Sequence, residues 1–284
     1  MKVLPRAEWT ARATAHEVRV DAFVAPHLAR RSESVKHPVH DFLFTYYSQR
    51  PAQLRRWHPG YGVALAEAPE YESLKGYGVS TGSTTVDTSY VSSQRVLLTT
   101  LARLLRATAS RPANFGCFGM HEWAMVYRLP EDETRHADRP LRLGPAGTDE
   151  VVESHRIACS HFDAYRFFTP SAAPLNTLSP TSADRAEFEQ PACLHAGMDL
   201  YKASYRLLPM ICSDLMADCF DLAVEIRELD MRASPYDLSG LGYSPVEIET
   251  PEGKKEYAAA QKDFAERGGL LRQQLIDECD RLLS

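Results

Sequence analysis

The chain has 284 residues, of which 44% are hydrophobic and 25% charged, enough apolar material for a sizeable core in a soluble globular protein. A formal net charge of −6 excludes the bulk basic character of a dedicated duplex binder, so DNA is a partner that net charge does not favour. There is no run of roughly 18 uncharged apolar residues, as a membrane span needs, and no apolar run of signal-peptide length at the N-terminus; the expectation is a cytoplasmic protein without a membrane partner.

In chain order, residues 1–35 read as an N-terminal helical segment, with the helix over 14–32 and a break at Pro26. Residues 38–57 suggest a helix with Pro38 in its first turn and an interruption at Pro51. The Gly-, Tyr- and Ser-rich stretch 60–82 reads as loop with a short strand. Val96, Leu97, Leu101, Leu104 and Leu105 recur at helical spacing and predict an amphipathic helix over 91–109. Residues 114–128 are apolar and irregular, with glycines at 116 and 119, and lead into a charged loop. In VVESHRIACSHFDAYRFFTP, apolar and polar residues interleave, which favours extended chain.

The C-terminal third predicts helices over 192–208, 212–231 and 251–283, separated by Pro209, Pro235, Gly240 and Gly242. Thr250-Pro251-Glu252 is a capped helix start, with proline and an acid in the first turn. The fold class is therefore mainly α with a minor β component, a single globular helical domain over 1–284. Its catalytic core is placed in 36–250 and its C-terminal helix in 251–284. Six scattered cysteines form no C-x-x-C pair and read as reduced thiols, neither a disulfide framework nor a cysteine-based zinc cage.

Histidines carry the chemical signal. His16 and His27 lie in the charged N-terminal helix and His136 in the charged loop; the other seven fall in short clusters with carboxylates and aromatics. Imidazole and carboxylate are the donors that suit iron, zinc and manganese. His37, His40 and Asp41 share one helical face by spacing, although Asp41 can equally serve the helix start. His121 and Glu122 are adjacent and reach one pocket only through irregular backbone. His161 and Asp163, at i and i+2, share a face on a strand, and His155 joins them if the strand is continuous. His195 and Asp199, at i and i+4, are neighbours on a helix. The acids of 214–228 form a stripe that usually faces solvent, with Asp218 and Asp221 set among apolar residues. Arg166 beside these clusters suits an anionic or carbonyl-bearing substrate.

HPVHDFLFTYYSQRPAQLRRWHPG, NFGCFGMHEWAMVYR, HFDAYRFFTPSAAPLN and ELDMRASPYDL together resemble a bacterial family commonly labelled 3-methyladenine DNA glycosylase. The resemblance implies a metal-independent enzyme that extrudes an alkylated base and hydrolyses its N-glycosidic bond, with Tyr46, Tyr47, Trp57, Trp123 and Phe167 as candidates to stack the base.

The residue inventory itself favours a metal-dependent enzyme, hydrolytic or oxidative, acting on a small or nucleobase-like substrate through a divalent ion, iron or zinc. His161, Asp163, His195, Asp199 and His155 are its metal-ligand candidates. His121, Glu122, His37, His40, Asp41 and Arg166 are its catalytic candidates. The base-excision glycosylase is the alternative, and a non-catalytic binding protein whose His–carboxylate pairs tie helices together is the second.

Overall fold

The computed structural model describes residues 1–284, apart from the side chain of Glu131. The chain is mainly helical with one small four-stranded sheet. It divides into two compact units, each built from separated segments. The first comprises Met1–Arg106, Leu200–Asp221 and Leu270–Ser284; the second comprises Ala107–Asp199 and Leu222–Gly269. The sequence shows no linker because the divisions fall within continuous helices, such as Leu194–Leu207 and Ser213–Arg232. Among the described residues no helix is long and apolar enough to cross a membrane.

In the first unit the sheet joins β1 (Lys2–Leu4), β2 (Val63–Ala66), β3 (Tyr77–Ser80) and β4 (Ser83–Val86) in the order β1-β2-β4-β3. β1 runs parallel to β2, with Val3 opposite Ala64, and β3 and β4 form a hairpin. Thr81 (φ 49) and Gly82 (φ 77) at the hairpin tip are both left-handed, the geometry that matches the twist of a two-residue turn. Leu4, Trp9, Trp57, Leu65, Ala68 and Tyr71 pack beneath the sheet. Trp9 Nε1 donates to Ala66 O at 2.9 Å and the Tyr71 hydroxyl to Trp57 O at 2.7 Å, so these amphipathic rings are buried with their polar ends satisfied.

The N-terminal helix runs unbroken from Arg6 to Ser32 through Pro26, against the expected break. Its inward face carries Trp9, His16, Val20, Val24 and His27 at helical spacing, and this packing outweighs the one backbone donor that proline lacks. His16 and His27, which looked like ordinary members of a charged helix, are buried: His16 Nε2 meets Leu54 O at 2.8 Å and His27 Nδ1 meets Asp41 Oδ1 at 2.9 Å. The expected helix over 38–57 is replaced by two single turns, Phe42–Thr45 and Pro51–Leu54. Pro51 starts the second turn, where its missing N–H is harmless.

In the second unit the extended reading of 151–170 fails outside the non-helical link 155–161. Gly144–Ser154 is a helix, and Phe162–Tyr165 is a helical turn, with one isolated bridge between them, Ile157 to Asn176. Interleaved polarity there reflects short, half-buried helical turns rather than a strand. The start of the helix Pro251–Leu283 is as the sequence predicts: Thr250 Oγ1 accepts from the Gly253 N–H at 3.0 Å.

Candidate metal centre

Phe118 (φ 47) and Gly119 (φ 69) turn the chain through two left-handed residues into the short helix Met120–Ala124. That entry carries both His121 and Glu122 into one buried network, as the glycine-rich approach suggests. His121 Nε2 donates to Asp230 Oδ1 at 2.8 Å. Arg227 Nη1 donates to Asp230 Oδ2 at 2.9 Å and to Glu122 Oε1 at 3.0 Å, so one guanidinium ties the two carboxylates. All four side chains are buried, Asp230 completely. Burial alone would push the Asp230 carboxyl up and the His121 imidazole down. Their mutual attraction reverses both, helped at Asp230 by the neighbouring Arg227: Asp230 stays well below the usual carboxylate range and His121 well above the usual imidazole range.

His195, one residue into the helix Leu194–Leu207, sets its ring edge-on to His121, with centroids 4.5 Å apart at 83°. One ligand atom from each of His121, His195 and Asp230 lies within 4.8 Å of the other two. Donors around a common ion at bond lengths of about 2.0–2.2 Å stand roughly 3–4 Å from one another, so this group can close on an ion that displaces the proton His121 shares with Asp230. Burial, reinforced by the neighbouring His121 charge, holds His195 well below the usual imidazole range, so its lone pair is available.

His161, wholly buried, lies on the other side of His195, with ring centroids 5.4 Å apart. Neither of its ring nitrogens has a hydrogen-bonding partner. Glu189 Oε1 at 3.4 Å and Asp199 Oδ2 at 3.5 Å from Nε2 give it only loose electrostatic company. Both carboxylates are instead held by Arg185, whose Nη2 donates to Asp199 at 2.6 Å and Nε to Glu189 at 2.5 Å. A cleft of about 10 Å³, room for roughly one water, opens between His121 and His195 and is also lined by Cys117, Cys159, Cys193 and Tyr257. Burial and the neighbouring thiols push Cys159 and Cys193 well up, so both stay protonated. The expected reduced thiols are free in the fold, and three of the six meet at this cleft.

Of the residues singled out in the sequence, His121, Glu122, His161, His195 and Asp199 are thus brought together. The others are not. Asp163 and Arg166 pair with each other at 3.2 Å on the helical turn that His161 begins, so the strand geometry that would align His161 with Asp163 is absent. The guanidinium of Arg166 is exposed and lies over Phe167, 4.4 Å from its ring centroid. His155 ends the helix Gly144–Ser154 and turns its Nδ1 back to Val151 O at 2.7 Å. His37, His40 and Asp41 belong to the first unit. There Asp41 accepts from the His37 N–H at 2.8 Å and from Arg30 at 2.6 Å besides meeting His27, while the His37 and His40 rings stack 4.7 Å apart. Asp41 thus ties the N-terminal helix to the turn at His37, and its side chain makes no capping hydrogen bond to the helical turn Phe42–Thr45, against the helix-start reading.

The acidic stripe divides in the same way. Asp218, exposed, and Asp221, half-buried, are partners of Arg19 and neither lies in the core. The buried acid is Asp230, which sequence reasoning missed together with Arg227, Arg185 and Glu189. A signal for Asp230 existed: it stands four residues after Ile226 and eight after Leu222, on the apolar face of the helix Ser213–Arg232, where an unpaired carboxylate would be costly. Of the aromatic candidates, Trp57 and Trp123 are fully buried, with their indole N–H groups bound to Asp214 and Ala233 O.

Comparison with protein-family models, curated proteins and solved structures finds no match in any of the three.

Proposed function

We propose that this protein is a metal-dependent enzyme whose divalent ion, iron or zinc, is held by His121, His195 and Asp230. The observation that carries this reading is the convergence of three buried ligand atoms within 4.8 Å, drawn from three separate helices. Two imidazoles and one carboxylate leave coordination positions open for water and substrate, the donor set of ferrous oxygenases and of several zinc hydrolases. Arg227 fixes the far oxygen of Asp230, which leaves Oδ1 directed at His121; such an outer partner sets the orientation of a ligand. His161, buried without a hydrogen-bond partner, is the adjacent group able to bind or move a proton at a water beside the ion.

The ion would activate a bound water or, if it is iron, dioxygen. A cleft with room for about one water favours a small reacting molecule at the centre. The glycosylase alternative needs space for an extruded base, about 300 Å³ or more, which the cleft beside His121 and His195 does not offer.

The test is elemental analysis of protein purified without affinity tag or chelator, beside the His195→Ala and His161→Ala variants. Near-stoichiometric iron or zinc, lost in His195→Ala, is the expected result. Absence of metal after anaerobic reconstitution overturns the reading and directs the next assay to alkylated DNA.

A further inference from the structure

The first unit contains a second cleft of about 330 Å³, at the lower end of the range for small-molecule sites. Arg56, Lys75 and Arg206 line it, and no carboxylate does. None of these three cations makes an ion pair among the described residues, although the chain carries 38 acidic against 32 basic residues. Three like charges around one concavity repel each other and focus a positive potential into it, so the arrangement is best satisfied by an anion. Guanidinium groups in particular match the oxygens of a phosphate.

Two further observations describe the rest of such a ligand. Gln49 lines the same cleft, is 5% exposed, and its amide oxygen has no hydrogen-bond partner. A buried acceptor without a donor is costly, and an amine or hydroxyl of a ligand would satisfy it. Tyr90 and Tyr205 supply aromatic walls, and Lys75 lies 5.9 Å from the Tyr90 ring centroid. His58, also in the lining, is held neutral because burial and then the Arg56 charge push its pKa down to about 3; it therefore adds a polar edge and no fourth charge.

We infer that this cleft binds a phosphorylated small molecule of mononucleotide size, its phosphate taken by Arg56, Lys75 and Arg206 and its polar body facing Gln49. This site is independent of the proposed metal centre. Neither helix capping nor core packing explains three unpaired cations around an open cavity.

The experiment is isothermal titration of the full-length protein with AMP, with adenosine as the uncharged control, on wild type, Arg56→Gln, Arg206→Gln and Gln49→Leu. The two arginines are exposed and unpaired, so their variants should fold; unchanged melting temperatures and circular dichroism confirm it. The expected result is saturable AMP binding, adenosine binding at least tenfold weaker, and about a tenfold loss of AMP affinity for each arginine removed. Equal affinity of wild type and both arginine variants, or no AMP binding at millimolar concentration, overturns the inference. Binding of a single-stranded oligonucleotide through the same arginines, without AMP binding, overturns it in favour of a nucleic-acid surface. Replacing AMP with inorganic phosphate separates recognition of the anion alone from recognition of the whole molecule: phosphate binding as tight as AMP overturns the assignment of Gln49 and the tyrosines.

Discussion

His121 Nε2 stands 2.8 Å from Asp230 Oδ1 across 109 positions of sequence, and this one contact joins a five-residue helix to the last turn of a 20-residue one. Both groups are buried and Arg227 lies against the carboxylate, so each charge is tolerated only because the others are present.

Asp230→Ala should therefore lose roughly 3–5 kcal/mol of stability, the usual penalty for breaking one side of a buried ion pair. Urea unfolding monitored by far-UV circular dichroism measures it. Adding His121→Met should recover part of that loss, because the second change removes the stranded imidazolium while Arg227 keeps Glu122 as its partner. A loss below about 1 kcal/mol for the single variant would show that these groups are solvated in solution.

His195 offers the opposite split. Among the described residues it makes no ion pair, so in metal-free protein His195→Gln should cost less stability than Asp230→Ala. Metal-loaded wild type should unfold at higher urea than either chelator-treated wild type or His195→Gln, since an ion that binds only the native state adds its binding free energy to folding. Identical midpoints before and after chelation would count against the metal centre.

His58 has its pKa pushed down to about 3, first by burial and then by Arg56, against an ordinary value of 6.5. Between those two values the unfolded chain holds a proton at this residue that the native chain does not. Stability from this group is accordingly complete above pH 6.5 and falls on acidification towards pH 3, by about 1.4 kcal/mol per pH unit. Denaturation midpoints measured from pH 7 to pH 4 should drop less steeply in His58→Gln than in wild type. Parallel slopes would mean that His58 takes up its proton without unfolding.

Two glycines of the helix Pro251–Leu283 should respond in opposite directions. A Cβ on Gly253 would lie 2.0 Å from Glu247 O, a backbone atom that cannot move aside alone. Gly253→Ala should cost about 3 kcal/mol or more. Gly269 has open space at its Cβ position, and Gly269→Ala should stabilise by up to about 1 kcal/mol through helix propensity. Thermal melts of the two variants against wild type decide it; destabilisation by Gly269→Ala would contradict the open environment.

Much of the fold is local and was readable. The helices at 194–207, 213–232 and 251–283 come from apolar periodicity and end signals that adjacent residues supply. The failures also have local causes. Pro26 reads as a break because its penalty is visible in sequence, whereas the packing of Val20, Val24 and His27 that overrides it is not. Residues 151–170 alternate in polarity like a strand, yet they hold the end of one helix and a later helical turn, and only the link 155–161 between them is non-helical.

By itself the sequence determined the helical class, the major helix ends and which residue types could carry chemistry, because propensity, capping and amphipathicity act over a few residues. Only the tertiary structure decided which of those residues meet. It chose His121, His195 and His161 over His37, His40 and His155, placed Asp163 on an exposed arginine, and brought in Asp230 as the partner that the spacing had hidden. The physical reason is that a buried ionisable group is stable only with a counter-charge. For His121 that counter-charge lies 109 residues away, beyond the reach of any local pattern.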